Sequence, residues 1–151
     1  MSLSTQDTAD RAVICSRIFD FPRERVFEAW TDPKQMAVWW GPNGFTNTIQ
    51  DYDPKPGNSL RYTMHAPNGA EYPNESVVDE LVPPERVVLH HLGPMHEFWM
   101  IMTFADLGGK TELTWKQIFL TAEHCAKIKD FITEANGQNF DRLEAHLAKA
   151  G

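Results

Sequence analysis

Glu80, His90 and His91 are the residues of this 151-residue chain whose types and neighbours could do chemistry. Glu80 stands between Val78 and Val82 in a run of β-forming residues. On a face turned to an apolar interior its carboxyl pKa would rise, making it a general base or a ligand handle. The competing reading pairs it with Arg61 or Arg86 at a sheet rim. His90 and His91 are adjacent in a candidate strand, so they face opposite sides and cannot ligate one metal together. His65 could approach His90 across strands and His96 follows, yet no carboxylate or thiol is spaced to complete a metal site. The expectation is therefore one inward histidine, His90, as a hydrogen-bond handle, with no metal and no cofactor. A nucleophile elbow, a His-Glu-x-x-His pair, a phosphate loop and a dinucleotide fingerprint are all missing from the sequence. Gly108-Gly109-Lys110-Thr111 echoes a phosphate loop, but it lacks the preceding glycine and joins two strands.

The elements that must position these residues are marked by punctuation. Ala12 to Phe19 reads as a first strand. Pro22 suits a first helical turn, and Val26, Phe27 and Trp30 then share one face at three- and four-residue spacing. Asp32-Pro33 repeats the start signal for a second short helix, and Gly41-Pro42 stops it. Between Phe45 and Leu120, turn clusters such as Ala66-Pro67-Asn68-Gly69 and Val82-Pro83-Pro84-Glu85 divide six candidate strands. These run over 45–52, 59–65, 71–82, 86–92, 98–106 and 110–120, and short turns make neighbours antiparallel. Thr111, Leu113, Trp115, Gln117 and Phe119 alternate with polar residues and share one face. Thr121 is placed to cap a long C-terminal helix, and Asn136-Gly137 predicts a bend or break within it.

Composition narrows the function classes. Hydrophobic content of 42% and charged content of 23% suit one globular domain over 11–151, with a frayed tail over 1–10. A formal charge of −7 argues against a nucleic-acid partner, and no apolar run is long enough to span a membrane. No signal-peptide pattern opens the chain. Cys15 and Cys125 have no second cysteine beside them, so two reduced thiols in a cytoplasmic protein are expected.

The aromatic residues carry the binding argument. Trp39 and Trp40 diverge from a helix end, so one should anchor the helix pair and the other line a cavity mouth, unless they form a stacking platform. Trp99, Met100, Ile101 and Met102 make a continuously apolar strand whose phase is open. If Trp99 and Ile101 face outward, they would serve homodimerisation.

Eight pieces in order resemble the branch of the START/Bet v 1-like (SRPBCC) superfamily named after the activator of heat-shock protein 90 ATPase. They include Arg17-Ile18-Phe19-Asp20-Phe21-Pro22, Val26-Phe27-Glu28-Ala29-Trp30-Thr31-Asp32-Pro33, Trp39-Trp40-Gly41-Pro42 and Asp53-Pro54-Lys55-Pro56-Gly57. Asn68-Gly69-Ala70-Glu71-Tyr72, Glu80-Leu81-Val82-Pro83-Pro84-Glu85-Arg86-Val87, Gly109-Lys110-Thr111-Glu112-Leu113-Thr114 and Phe140-Asp141-Arg142-Leu143-Glu144-Ala145-His146-Leu147 complete them. The resemblance implies an α+β helix-grip fold: a curved seven-stranded antiparallel sheet around the C-terminal helix, two short helices after strand 1, and a cavity between sheet and helix. Members of the superfamily hold lipids, sterols, hormones and polyketides there. This chain has Asn68-Gly69 and Gly57-Asn58 where relatives often carry Asp-Gly and paired glycines, changes a turn tolerates. The eponymous activator has a separate chaperone-binding domain for which this chain has no room, so a chaperone partner is disfavoured.

The expected function is a cytoplasmic module binding an apolar or aromatic small molecule. Trp40, Tyr62, Met64, Met100, Trp115 and Phe119 are the expected walls, Glu80 and His90 the polar handles, and Phe131 and Ile132 the closing helix face. The alternatives are a cavity enzyme (cyclase, dehydratase or hydrolase) using Glu80 or His90, and a stress-related interaction protein.

Overall fold

The structure is a computed structural model and describes residues 9–93 and 97–150. The tail reading for residues 1–8 and the histidine at position 96 lie outside the described residues. A single 3-10 turn, Ala9–Arg11, leads into β1 (Ala12–Phe19). Two helices follow, α1 (Arg23–Thr31) and α2 (Pro33–Trp39). Six strands come next: β2 (Thr46–Tyr52), β3 (Ser59–His65), β4 (Glu71–Val82), β5 (Arg86–Gly93), β6 (Phe98–Asp106) and β7 (Thr111–Phe119). The chain closes with α3 (Ala122–Ala150).

The strands form one antiparallel sheet in the order β1-β7-β6-β5-β4-β3-β2. β1 and β2 are consecutive in the chain yet occupy opposite edges. The α1–α2 pair must therefore carry the chain across the concave face, closing one end of it. α3 packs across the same face against β1, β7 and α2. This is the helix-grip arrangement implied by the resemblance.

Local chemistry explains the helix ends. Pro22 takes the extended N-cap conformation before α1. The Asp32 carboxylate accepts from Lys34 N at 3.0 Å and Pro33 occupies the first turn, so α2 starts with its first N–H groups provided for. Thr121 Oγ1 accepts from His124 N at 3.1 Å and caps α3. α1 and α2 are too short to persist alone. Their buried Val26, Phe27, Trp30, Met36 and Trp39 join Phe104, Leu113, Trp115, Phe140, Leu143 and Leu147 in the main core. A smaller cluster forms around Val13, Phe119, Cys125 and Ile132, and the half-buried Phe98 packs against both.

Two expectations about strand and helix geometry are corrected. α3 runs without a break through Asn136-Gly137, because the long helix is held by its contacts with the sheet at that point. A glycine within a helix costs only ~1 kcal/mol relative to alanine, too little to interrupt a packed element of this length. In β4 a register shift between Val78 and Glu80 inserts an extra residue. It swings Glu80 to the exposed face, and Leu81 packs on the core instead.

Candidate functional site

The chamber between α3 and the concave face has a volume of about 310 Å³. The sheet supplies Tyr62 and Met64 from β3, Tyr72 and Asn74 from β4, His91 from β5, Phe98 from β6 and Gln117 from β7. Trp40, Pro42 and Phe45 come from the loop after α2, and Phe131, Ile132, Ala135, Asn136 and Asn139 from α3. Alternation explains the sheet residues: Tyr62 and Met64 continue the inward phase of buried Leu60, and Gln117 that of buried Leu113 and Trp115. Helical spacing does the same for α3, where Phe131, Ile132, Ala135, Asn136 and Asn139 recur at three- and four-residue steps.

The polar members of the wall are largely matched to one another. Asn136 Nδ2 donates to Gln117 Oε1 at 2.6 Å and approaches Cys15 Sγ at 3.6 Å. Ser76 Oγ and His91 Nδ1 lie 3.0 Å apart, and the His91 ring stacks on Phe98. Burial pushes the Tyr62 phenol up to about 12, with the nearby Trp40 indole pulling the other way. Among the described residues no Lys, Arg, Asp or Glu lines the chamber.

The loop wall is pinned by α3. Arg142 Nη1 donates to the carbonyls of Gly41 at 2.8 Å, Pro42 at 3.0 Å and Trp40 at 3.2 Å, and Nη2 reaches Val38 O at 3.3 Å. These are carbonyls at and beyond the end of α2, where a cation also meets the negative end of the helix dipole; the Pro42 carbonyl accepts from Phe45 N as well. Burial lowers the Arg142 pKa without threatening its charge. Asn139 Oδ1 accepts from Gly41 N at 2.8 Å, and Gln138 Oε1 from Asn43 N at 3.0 Å. Gly41 has φ +105°, and a Cβ there would stand 3.1 Å from Met64 Cε, so the turn needs glycine. The Asn47 side-chain amide donates to Trp40 O from β2.

The ten residues expected at the site fall into three groups. Trp40, Tyr62, Met64, Phe131 and Ile132 line the chamber, with Phe131 standing 66% exposed at its mouth. Met100, Trp115 and Phe119 face inward without lining it. Met100 borders a smaller void, Trp115 is fully buried among Trp30, Trp39, Trp40 and Phe140, and Phe119 belongs to the second cluster. Glu80 and His90 are on the wrong side. Glu80 pairs with Arg86 Nε at 3.0 Å, both side chains over a third exposed. His90 stacks on Trp99 at 4.3 Å on the outer face and holds Glu97 Oε2 at 2.7 Å. Its neighbour His91 is the inward one, because buried Val87 and Leu89 set the phase of β5. Trp39 anchors the helix pair, donating its indole N–H to Ala29 O at 2.9 Å.

Sequence reasoning missed His91, Gln117, Asn136 and Asn139 as wall residues. Gln117 carried a signal, since it sits in the inward phase of the clearest alternating strand. His65 lies at the β2–β3 ladder, held by Thr48 at 2.7 Å and Glu71 at 2.9 Å. No cluster of three or more metal-ligating side chains occurs among the described residues, and both cysteines are unpaired. A broader depression of about 670 Å³ on β2–β4 is lined by charged Asp51, Arg61 and Glu75 and has no enclosed body.

The sequence profile of the family described as activator of Hsp90 ATPase homolog 1-like protein matches residues 20–148. No curated protein sequence matches the chain. Among solved structures, a protein from Nitrosomonas europaea superposes with a TM-score of 0.85 at 18% identity, over 95% of this chain and 97% of that one. A protein from Arthrobacter aurescens gives 0.86 at 20% identity, over 95% of this chain and 89% of that one. A protein from Mycobacterium smegmatis gives 0.85 at 22% identity, over 96% of each chain. These likenesses establish the fold.

Proposed function

The chain belongs to the activator of Hsp90 ATPase homolog 1-like family, and from that premise and the chamber's lining we propose that it binds an apolar or aromatic small molecule between sheet and C-terminal helix. The observation that carries this reading is an apolar chamber of about 310 Å³ with a few fixed polar atoms in its wall. That volume is at the lower end of the ~300–1,000 Å³ typical of small-molecule sites. It suits one or two rings or a short acyl chain better than a two-chain lipid. Trp40, Tyr62, Phe98 and Phe131 offer aromatic faces, and Met64 adapts to ligand shape.

The acid–base alternatives built on Glu80 or His90 are not carried forward, since neither side chain reaches the chamber. Two unpaired thiols favour a cytoplasmic location. Among the described residues no helix is long and apolar enough to cross a membrane.

Native mass spectrometry of protein purified from its own host, before and after denaturing extraction, tests the reading. A co-purifying apolar molecule lost on denaturation is expected. An empty protein that shows no thermal shift with any of a panel of mono- and bicyclic aromatics would overturn it.

A further inference from the structure

Gln117 of β7 and Asn136 of α3 meet beneath the helix, each only 4% exposed and each part of the chamber wall. Asn136 Nδ2 donates to Gln117 Oε1 at 2.6 Å and lies 3.6 Å from Cys15 Sγ. A primary amide carries both a donor group and an acceptor, so this contact uses one half of each side chain. Gln117 Nε2 and Asn136 Oδ1 are left without a hydrogen bond among the described residues. Neither atom is sealed off, since each keeps surface that a water-sized neighbour can touch. The chamber is the open space that both side chains border.

The other polar side chains of the wall differ. Asn139 has both ends engaged, accepting from Gly41 N at 2.8 Å and donating to Ala135 O at 3.1 Å. His91 Nδ1 faces Ser76 Oγ at 3.0 Å, Asn74 Nδ2 donates to Tyr72 O at 2.7 Å, and the Tyr62 oxygen takes the Trp40 indole. The Gln117–Asn136 pair thus presents one donor group and one acceptor together, and exchanging O and N in both amides presents the same two roles. Buried polar groups are nearly always paired, so the occupant of this corner must both accept and donate. A hydroxyl does so with a single oxygen. A carboxylate would set a second acceptor against Asn136 Oδ1, and among the described residues no Lys or Arg lines the chamber to hold it.

We propose that the chamber's ligand is a neutral phenol or alcohol on a body of one or two rings, its hydroxyl oxygen accepting from Gln117 Nε2 and its proton donated to Asn136 Oδ1. This deepens the binding reading above and rests on it. Without ligand, a water makes the same two bonds, and the hydroxyl replaces it bond for bond. A hydrocarbon of the same shape would displace that water and return neither bond, so the pair selects against it.

Three probes on one ring system test this: 2-naphthol, 2-methylnaphthalene and 2-methoxynaphthalene, titrated at neutral pH, where a phenol keeps its proton. The naphthol is expected to bind about tenfold tighter than the methyl compound, the worth of a satisfied hydrogen bond. The methoxy compound accepts but cannot donate, and it too is expected to bind about tenfold more weakly than the naphthol. In the double variant Gln117→Leu/Asn136→Leu the ratio of naphthol to methylnaphthalene affinity is expected to fall to about one. If that variant fails to fold, the side-chain amide signals of Gln117 and Asn136 in ¹⁵N-labelled unaltered protein replace it, and they should move with naphthol far more than with methylnaphthalene. Equal affinity for naphthol and methylnaphthalene overturns the hydroxyl assignment and leaves the cavity reading standing. Undiminished naphthol preference in the double variant, or unmoved Gln117 and Asn136 signals with naphthol bound, overturns this pair as the hydroxyl's site and again spares the cavity. Tightest binding by the methoxy compound overturns the need for a donor. Binding of none of the three overturns both readings.

Discussion

Arg142→Met removes a guanidinium and keeps most of its apolar stem, so it isolates what the charged fork does for the loop after α2. The fork makes four contacts with backbone carbonyls, three of them through Nη1. Nη1 has two protons for those three acceptors, so the contacts amount to about three hydrogen bonds. Bonds from charged groups are each worth ~1.5–3 kcal/mol when buried. Here the fork is partly exposed and the vacated carbonyls can rehydrate, which reduces the net loss to ~2–3 kcal/mol. In a domain of this size that corresponds to a fall in Tm of roughly 5–10 °C. Calorimetry reads the first effect. Hydrogen exchange at the Gly41 and Asn43 amides reads the second, because their acceptors Asn139 and Gln138 hold the same loop and both amides should exchange faster. Arg142→Lys should recover less than half the loss, since an ammonium cannot span four carbonyls. A Tm change under about 1 °C, with unchanged exchange at Gly41, would refute the clamp.

Gln117→Leu and Asn136→Leu should each cost about 1–3 kcal/mol, because each leaves its buried partner unpaired, while the double variant should be nearly as stable as the parent. A double-mutant cycle by chemical denaturation reads the coupling. Phe131→Ala should change stability by less than about 0.5 kcal/mol, given its exposure, yet weaken binding of an aromatic probe several-fold. Glu80→Gln should leave probe binding unchanged and cost less than ~1 kcal/mol, as expected for an exposed ion pair. For His146, burial chiefly, then Arg25 and Lys149 against the opposing pull of Asp32, lower the pKa from 6.5. The unfolded chain therefore takes up the proton first, and stability should fall as pH drops through and below 6.5, a trend His146→Gln should flatten in Tm-versus-pH curves.

Strand positions were legible because glycine and proline clusters mark nearly every turn, and Gly57 and Gly69 take the positive φ that such turns require. The inward face of β7 was legible because its alternation is clean. The phase of β5 was not. Val87, Val88 and Leu89 are all buried, so neither face reads as polar, and only the seated strand shows that His91 turns in and His90 turns out. Glu80 misled for a different reason. An extra residue in β4 reverses the phase after Val78, and nothing in the local composition marks a bulge there. At Asn136-Gly137 local propensity suggested a break, but the Asn136 amide is tied to Gln117 and the helix continues. The site's polar wall was missed because amide side chains in mid-helix read as solvent-facing until the partner strand is in place. The family resemblance and the fold agree over residues 20–148.

Methyl-labelled NMR tests the binding claim most directly, with 2-acetylnaphthalene titrated against ¹³C-labelled methionine and isoleucine methyls. Shifts concentrated on Met64 and Ile132, with intermolecular NOEs to both and none to the exposed Ile14 and Ile18, are the predicted result. Saturable shifts confined to Ile14, Ile18 or Ile101, with Met64 and Ile132 unmoved, would contradict a ligand held between sheet and helix.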